Sequence, residues 1–214
     1  MNIKHTVTSL ILALSCLSIT ASAQKNYTEG SAIYTVNTQA GDAEAKVAFN
    51  SDSSEVSVQQ GPALIKMLAN NKGTYMAILV DVPLASIKKA AVLTPDELGQ
   101  TENAAPKFTF IPTTETKVIN GFNCKKVVAK DAKSGTSTDV WVTTDITAPQ
   151  NLLSRYFVAA GGFPVQFVGK QMGQSATMTL KSIDSNKPVA GTFGIPAGFD
   201  RISVADLNSL GGAR

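Results

Sequence analysis

The residue best suited to covalent chemistry is Cys124, which Lys125 and Lys126 follow directly. A thiol becomes a nucleophile when a cation, a histidine or a helix N-terminus stabilises its thiolate. On a strand, Lys126 would share the face of Cys124, whereas Lys125 would point to the opposite face. Free cysteines are among the most buried residues. We therefore expect an inert core thiol at Cys124, with a redox thiol that pairs with another chain as the alternative.

The sequence gives little support for acid–base catalysis. The only histidine, His5, lies in the N-terminal leader described below. A Ser-x-x-Lys spacing occurs at Ser86 and Lys89, but it falls in a predicted strand and does not open a helix. Asp96 and Glu97 stand at a predicted helix start, where acids favour the helix dipole. We predict a protein that is not an enzyme, with no catalytic residue, no metal site and no cofactor.

A set of large apolar side chains is a candidate for binding rather than for reaction. On a curved sheet these residues would line a concave face that takes up an acyl chain; otherwise they simply form the core. The candidate ligand-lining residues are Ile33, Phe49, Ile78, Phe108, Phe110, Trp141, Phe163, Phe167 and Met178. Trp141 stands between Val140 and Val142 and is also expected to anchor a hairpin, with ligand stacking as the alternative.

The first 23 residues have the pattern of a signal peptide. Lys4 precedes an apolar run over 7–19, and Ala21-Ser22-Ala23 supplies a small-x-small cleavage site before Gln24. Lipidation at Cys16 is the competing interpretation, but the residues around that cysteine fit it less well. No later run approaches the ~20 apolar residues of a membrane helix. The mature chain is predicted to lie in the periplasm or the outer envelope, or to be secreted, with no transmembrane segment.

Length, charge and cysteine content limit the remaining possibilities. Residues 24–214 suit a single domain that is large enough to bury a core. The 19 basic and 16 acidic side chains are spread evenly, so no basic stripe indicates a nucleic-acid partner. Once the leader with Cys16 is removed, Cys124 has no cysteine left to pair with in the same chain.

Alternating apolar and polar residues predict an antiparallel sheet with short turns. Residues 118–130 and 138–146 are predicted to form a hairpin, with an Asn120-Gly121 turn just before its first arm. The other predicted strands are 32–36, 45–49, 55–58, 74–82, 86–93, 108–111, 163–168 and 176–180.

Two short helices are predicted within this sheet protein. Residues 62–69 would form two helical turns that Pro62 opens and 70–73 stop. The second helix begins at Thr94, a capping residue followed by a proline and two acids, and 99–106 is predicted to be a polar loop. Ser203 is expected to cap a last short helix.

The second half of the chain resembles a known group of envelope proteins. The residues that carry the resemblance are Ile119-Asn120-Gly121-Phe122-Asn123-Cys124-Lys125-Lys126, Asp139-Val140-Trp141-Val142-Thr143, Gly161-Gly162-Phe163-Pro164-Val165 and Phe193-Gly194-Ile195-Pro196-Ala197-Gly198-Phe199. In this order they are similar to the secreted domain-of-unknown-function families of Gram-negative envelopes related to the GLPGLI proteins. Those families resemble in turn the LolA/LolB lipoprotein-carrier fold. Here the turn reads Gly-Gly-Phe-Pro instead of Gly-Leu-Pro-Gly.

The resemblance implies a fold and a role. The expected fold is mainly β, a curved antiparallel half-barrel of the LolA type with a few short helices. The expected function is binding of a hydrophobic ligand, a lipid or an acyl chain, on the concave face, with a lipid or lipoprotein as partner. The alternative is a module that docks another envelope protein and has a filled core. Whether helices fill the concave face distinguishes the two.

Overall fold

A computed structural model describes residues 24–39, 41–171 and 174–212 of the chain. The predicted signal over 1–23, including Cys16 and the cleavage site after Ala23, lies outside the described residues.

Strands make up most of this structure. Two α-helices, α1 (Pro95–Ala104) and α2 (Val204–Gly212), and two 3-10 helices, Pro83–Ala85 and Arg155–Ala160, lie between or after them. The strands are β1 (Lys25–Asn26), β2 (Gly30–Thr38), β3 (Gly41–Phe49), β4 (Ser53–Gln60), β5 (Ala63–Asn70), β6 (Met76–Val82), β7 (Ile87–Val92), β8 (Phe108–Ile119), β9 (Phe122–Asp131), β10 (Ser137–Thr143), β11 (Ile146–Thr147), β12 (Phe163–Gln171), β13 (Gln174–Asp184) and β14 (Asp200–Ile202).

Twelve of these strands form one curved, open sheet in the order β14-β7-β6-β5-β4-β3-β2-β13-β12-β10-β9-β8. Every neighbouring pair is antiparallel except β14 and β7, which run parallel. The short strands β1 and β11 form a separate parallel pair. The prediction of a mainly β protein with a curved sheet and a few short helices is confirmed.

Strand alternation divides the sheet into an inner face and an outer face. On β2, Ala32, Tyr34 and Val36 are buried, whereas Ile33 and Thr35 between them are only half-buried. The buried set belongs to the main hydrophobic cluster, which β3, β9, β10, β12 and β13 extend. We call the face with these buried side chains the inner face. The chain between β11 and β12, residues 148–162, packs on it and is called the covering segment.

The predicted Asn-Gly turn is present. Asn120 and Gly121 both have positive φ, 49° and 86°, and they join β8 to β9 as a two-residue loop. Asparagine and glycine adopt this backbone with the least strain, which explains their place in such hairpins. The Nδ2 atom of Asn120 also donates to the carbonyl oxygen of Leu180 at 2.8 Å. The turn is therefore fixed to β13 as well as to its own hairpin.

The helix predicted over 62–69 is wrong. Ala63–Asn70 is the strand β5, paired with β4 on one side and β6 on the other. Its apolar residues fit either a helical or a strand period, and local signals do not distinguish the two for a short run. Leu68 is fully buried, and the two neighbouring strands supply the backbone partners that decide between the alternatives.

The helix predicted to begin at Thr94 is present and longer than expected. The Oγ1 atom of Thr94 accepts from the backbone N–H of Glu97, and the Glu97 carboxylate accepts from the backbone N–H of Thr94. This reciprocal pair is a capping box. The helix runs through Gly99 to Ala104, so the polar loop begins six residues later than predicted.

Among the described residues, no helix is long and apolar enough to cross a membrane. At the C-terminal end, the Oγ atom of Ser203 accepts from the backbone N–H of Asp206 at the start of α2, as predicted.

Candidate functional site

An aromatic cluster marks the place where the covering segment meets the inner face. Phe157, from the 3-10 helix Arg155–Ala160, is buried. Its ring lies 5.5 Å from that of Phe108, 6.4 Å from that of Phe110 and 4.7 Å from that of Phe167, measured between centroids. The cluster joins β8 to β12 through the covering segment. It fixes the segment on the sheet without filling all of the space beside it.

That space is an open cavity of about 480 Å³. It lies between the end of α1, the turn from β9 to β10, the end of the β12–β13 hairpin and the covering segment. The apolar part of its lining includes Phe108, Leu152, Leu153, Phe157, Phe167 and Met178. Polar residues at the strand ends complete the wall: Asp131, Ser134, Thr136 and Ser175.

One wall of the cavity is held by polar contacts between α1 and the β9–β10 turn. The Nζ atom of Lys133 donates to the carbonyl oxygens of Asn103 and, at 2.6 Å, Ala105, at the C-terminal end of α1. A cation at this end also interacts favourably with the helix dipole. The contact keeps the helix end and the turn together at the cavity mouth.

The carboxylate of Asp131 is a charged group at this mouth. It accepts the backbone N–H groups of Lys133 and Lys107 and the hydroxyl of Ser134, at 2.9–3.2 Å. These hydrogen bonds, first of all that from Lys133, lower the pKa of Asp131 below its usual value. This carboxylate is therefore ionised at neutral pH, at the same mouth as the Lys133 ammonium.

The structure brings three of the nine predicted ligand-lining residues together around the cavity. These are Phe108, Phe167 and Met178. Phe110 packs beside them in the aromatic cluster. The remaining five lie elsewhere on the sheet and are described next.

Phe49 and Phe163 are buried in the main hydrophobic cluster, away from the cavity lining. Ile78 packs in a smaller cluster with Met76 and Leu93. Ile33 alternates with the buried residues of β2 and lies on the outer face.

Trp141 also lies outside the cavity. Its register partner is Gln166, which alternates with the buried Val165 and Phe167, so the indole and Phe167 are on opposite faces. The Nζ atom of Lys117 lies 4.0 Å from the centroid of the indole ring. Trp141 still packs against the edge of the main cluster, as a hairpin anchor would.

Sequence analysis missed every lining residue of the covering segment: Leu152, Leu153, Tyr156 and Phe157. A local signal exists for this turn. The Oδ1 atom of Asn151 accepts from the backbone N–H of Leu153 and Ser154, and the Oγ atom of Ser154 accepts from that of Asn151. An Asn-x-x-Ser pair that caps itself in this way predicts a tight turn and presents the apolar residues beside it to the sheet.

Cys124 is a core residue in this structure. Its side chain is buried, with 2% exposed, and its Sγ atom donates to the carbonyl oxygen of Phe122 at 3.4 Å. Burial raises the pKa of the thiol to about 11. Lys126 is engaged with Glu115 and Asp139, at 2.9 and 3.0 Å. The thiol is therefore protonated at neutral pH and is a poor nucleophile.

Comparison with known proteins finds similarity at the level of structure. No family model and no curated protein matches the chain. The structure is similar to PNGF-II in two crystal forms, with TM-scores of 0.51 and 0.52 and 16% identity. The aligned region covers 85% and 86% of this chain and 32% and 33% of the PNGF-II chain, so this chain spans about a third of that protein.

A second similar structure is that of an uncharacterized conserved protein from Thermus thermophilus. The TM-score is 0.51 with 9% identity, and the match covers 82% of this chain and 90% of that chain. At these identities the likenesses establish a shared fold alone.

Proposed function

We propose that this chain is a non-enzymatic binding protein that holds the acyl chain of a lipid in the cavity on its inner face. The observation that carries the proposal is the open cavity of about 480 Å³ with an apolar floor beside the aromatic cluster. Sites for small molecules commonly have volumes of about 300–1,000 Å³ and combine an apolar lining with a few polar groups. The cavity has both properties.

The driving force for such a ligand would be apolar burial. Each methylene group removed from water contributes about 0.8 kcal/mol. Phe108, Phe157, Phe167 and Met178 offer the apolar surface, and no covalent step is needed. The absence of histidine from Gln24 onward agrees with a role without acid–base catalysis.

The signal-peptide pattern of the first 23 residues supports a cellular location in which lipids are available to the protein. An exported chain in the periplasm or the outer envelope, or one that is secreted, works beside lipids and lipoproteins, and such molecules are the ligands that we propose. The resemblance to GLPGLI-related and LolA-type proteins points in the same direction.

The incomplete cover of the inner face favours this function over a docking module with a filled core. Residues 62–69, which as a helix would have been available to fill that face, are part of the sheet itself. The docking alternative has one observation of its own. β8 is an edge strand on which Ile111 and Val118 are 55% and 67% exposed, and an edge of this kind is able to pair with a partner strand.

A blocking substitution tests the proposed cavity. Thr136 is exposed, lines the cavity just before β10 and alternates onto the same face as the buried Val140, so Thr136→Trp should close the mouth without disturbing the core. Ser137→Trp, at the next residue, which is exposed and does not line the cavity, is the matched control. We expect Thr136→Trp to weaken dodecanol binding by about tenfold or more, since several methylenes lose their contacts.

The binding of dodecanol to residues 24–214 would be measured by titration calorimetry, with native mass spectrometry of gently purified protein to detect any ligand already bound. The control variant should bind dodecanol like the wild type, and both variants should keep the wild-type melting temperature. A wild-type protein that takes up no dodecanol and carries no lipid after purification would contradict the proposal.

A further inference from the structure

A second cavity of about 380 Å³ adjoins the first, because Leu152 and Tyr156 line both. Unlike the first cavity, it is lined mainly by polar side chains. They come from the β5–β6 turn, from α1 and from the start of the covering segment, and include Asn70, Asn71, Lys72, Glu102, Asn151 and Arg155. An amphipathic ligand requires an apolar cavity next to a polar one, and these two cavities have that arrangement.

Asn151 is the buried polar residue of this second cavity. It is only 2% exposed. Its Oδ1 atom is occupied by the backbone N–H groups of Leu153 and Ser154, at 2.9 and 3.1 Å. Its Nδ2 atom has no hydrogen-bond partner among the residues that the structure describes. These contacts identify Oδ1 as the accepting atom of the amide, so the unpaired atom is the donor Nδ2.

Arg155, which also lines this cavity, has a second unpaired donor. Its Nη1 atom lies 2.9 Å from the Glu102 carboxylate, and its Nη2 atom donates to the hydroxyl of Tyr156. The guanidinium also lies over the Tyr156 ring, 4.6 Å from its centroid. The buried Nε–H is left without a partner among the described residues. The guanidinium is therefore held in place while one donor stays free.

Both unpaired groups donate, so an acceptor is the chemistry that would satisfy them. A buried donor without a partner destabilises the protein, and hydrogen bonds to an ionised acceptor are the stronger ones. The exposed Lys72 adds a positive charge at the rim. Glu102 is the acid in the lining, and Arg155 is paired with it. By contrast, no buried unpaired donor lines the first cavity among the described residues, and the ionised Asp131 lies in its wall.

We propose that the polar cavity binds an anionic oxygen group, the carboxylate of a fatty acid whose chain occupies the first cavity. This inference rests on the proposed function. The carboxylate would accept from the Nδ2 atom of Asn151 and the Nε atom of Arg155, with Lys72 nearby. A small free carboxylate offers the same chemistry, and the test separates the two sources.

Three probes divide the ligand into its parts. Dodecanoate has the chain and the carboxylate, dodecanol has the same chain without the charge, and acetate has the carboxylate alone. Binding is measured by calorimetry, and the side-chain amide resonances of Asn151 are followed by NMR. We expect the wild type to bind dodecanoate about tenfold or more tightly than dodecanol, in line with charge-assisted hydrogen bonds. Dodecanoate should also shift the Asn151 resonances.

Two variants change the polar cavity and leave the apolar one intact. Asn151→Asp keeps an oxygen for the Leu153 and Ser154 N–H groups but replaces the free donor with an anion. Lys72→Glu reverses an exposed charge and does not depend on how the buried variant folds. Lys187→Glu, also exposed and in the lining of neither cavity, is its control. Both test variants should weaken dodecanoate about tenfold and leave dodecanol unchanged.

The possible outcomes separate this inference from the proposed function. Equal affinity of the wild type for dodecanoate and dodecanol would overturn the inference and leave the acyl-chain function standing. Loss of dodecanoate binding in Lys187→Glu as well as in Lys72→Glu would also overturn it, because a general charge effect would then suffice. If neither long-chain probe binds but acetate shifts the Asn151 resonances, the proposed function fails and a site for small anions remains.

Discussion

At the scale of single residues, burial decides what Cys124 does. Lys125 and Lys126 follow it in sequence, a pattern that favours an activated thiol when read alone. In the structure the low polarity around the sulfur outweighs the nearby Lys117 charge, and the pKa of the thiol rises to about 11. The sequence shows which charged residues are next to the thiol, but it does not show that the fold excludes water from it.

This burial should appear as a loss of stability in alkali. The thiol has a pKa of about 11 in the folded chain and of about 9 in the unfolded chain, so the unfolded state ionises first. Stability that is fully present below pH 9 is then lost as the pH rises towards 11, by up to about 3 kcal/mol. Urea unfolding of the wild type and of Cys124→Ala over this range measures the effect. The free energy of unfolding of Cys124→Ala should fall less steeply, and equal slopes would contradict the account.

The candidate ligand residues show what residue type can and cannot predict. Phe108, Phe167 and Met178 line the cavity as expected, because large apolar side chains on the inner face meet there. Ile33 and Trp141 are equally apolar but alternate with buried neighbours and lie on the outer face. Alternation reveals that a strand has two faces. Which face is inner depends on bulges and on strand partners from distant parts of the chain.

At the scale of elements, local chemistry predicted the turns and caps well. The Asn120-Gly121 turn and the capping box at Thr94 both rest on contacts within a few residues, and both are present. The helix prediction for residues 62–69 was wrong because pairing with β4 and β6, rather than the local residues, makes β5 a strand. The covering segment was missed for a related reason: Phe157 has no periodic pattern around it and is placed by the aromatic rings of β8 and β12.

Two glycines offer a matched test of how the elements pack. A Cβ atom at Gly30, at the start of β2, would overlap the carbonyl oxygen of Asp184 on β13, whereas one at Gly99, in α1, would meet nothing within 4 Å. We expect Gly30→Ala to destabilise the protein by about 3 kcal/mol through overpacking. Gly99→Ala should stabilise it by about 1 kcal/mol through helix propensity.

Chemical unfolding of the wild type and the two variants measures both glycine effects. Because the substitution is the same in each, any general effect of an added methyl group cancels. A Gly30→Ala protein as stable as the wild type would mean that β2 and β13 do not approach as closely as described.

At the scale of the whole molecule, the chain after β13 returns to the other half of the sheet. Ile195 and Phe199 pack against a small cluster formed by Leu68, Ala77, Leu79 and Ala90 on β5, β6 and β7. β14 then adds to β7 in parallel, and Lys89 pairs with Asp200 at 2.7 Å. The C-terminal part of the chain thus covers an apolar surface that the first half leaves open.

Removal of the Phe199 ring should loosen this cover. Phe199 is partly buried, so we expect Phe199→Ala to reduce stability by about 2 kcal/mol, less than the loss of a fully buried ring. Hydrogen exchange should become faster at the amides of β7 and β14 and stay unchanged in the β8–β9 hairpin. Val189→Ala, at an exposed position of the same segment, is the control and should behave like the wild type. Uniform acceleration across the sheet would contradict a local role.

The pairing of β2 with β13 also governs the order in which this protein is able to assemble. β2 is among the first strands to be synthesised, yet one of its two neighbours comes from residues 174–184. Until that late part of the chain emerges, β2 exposes an unpaired strand edge, and closing so long a loop makes folding slow. For the exported chain that we propose, this delay would be useful, because a sheet that cannot form early would leave the polypeptide open while it is threaded through a translocation pore.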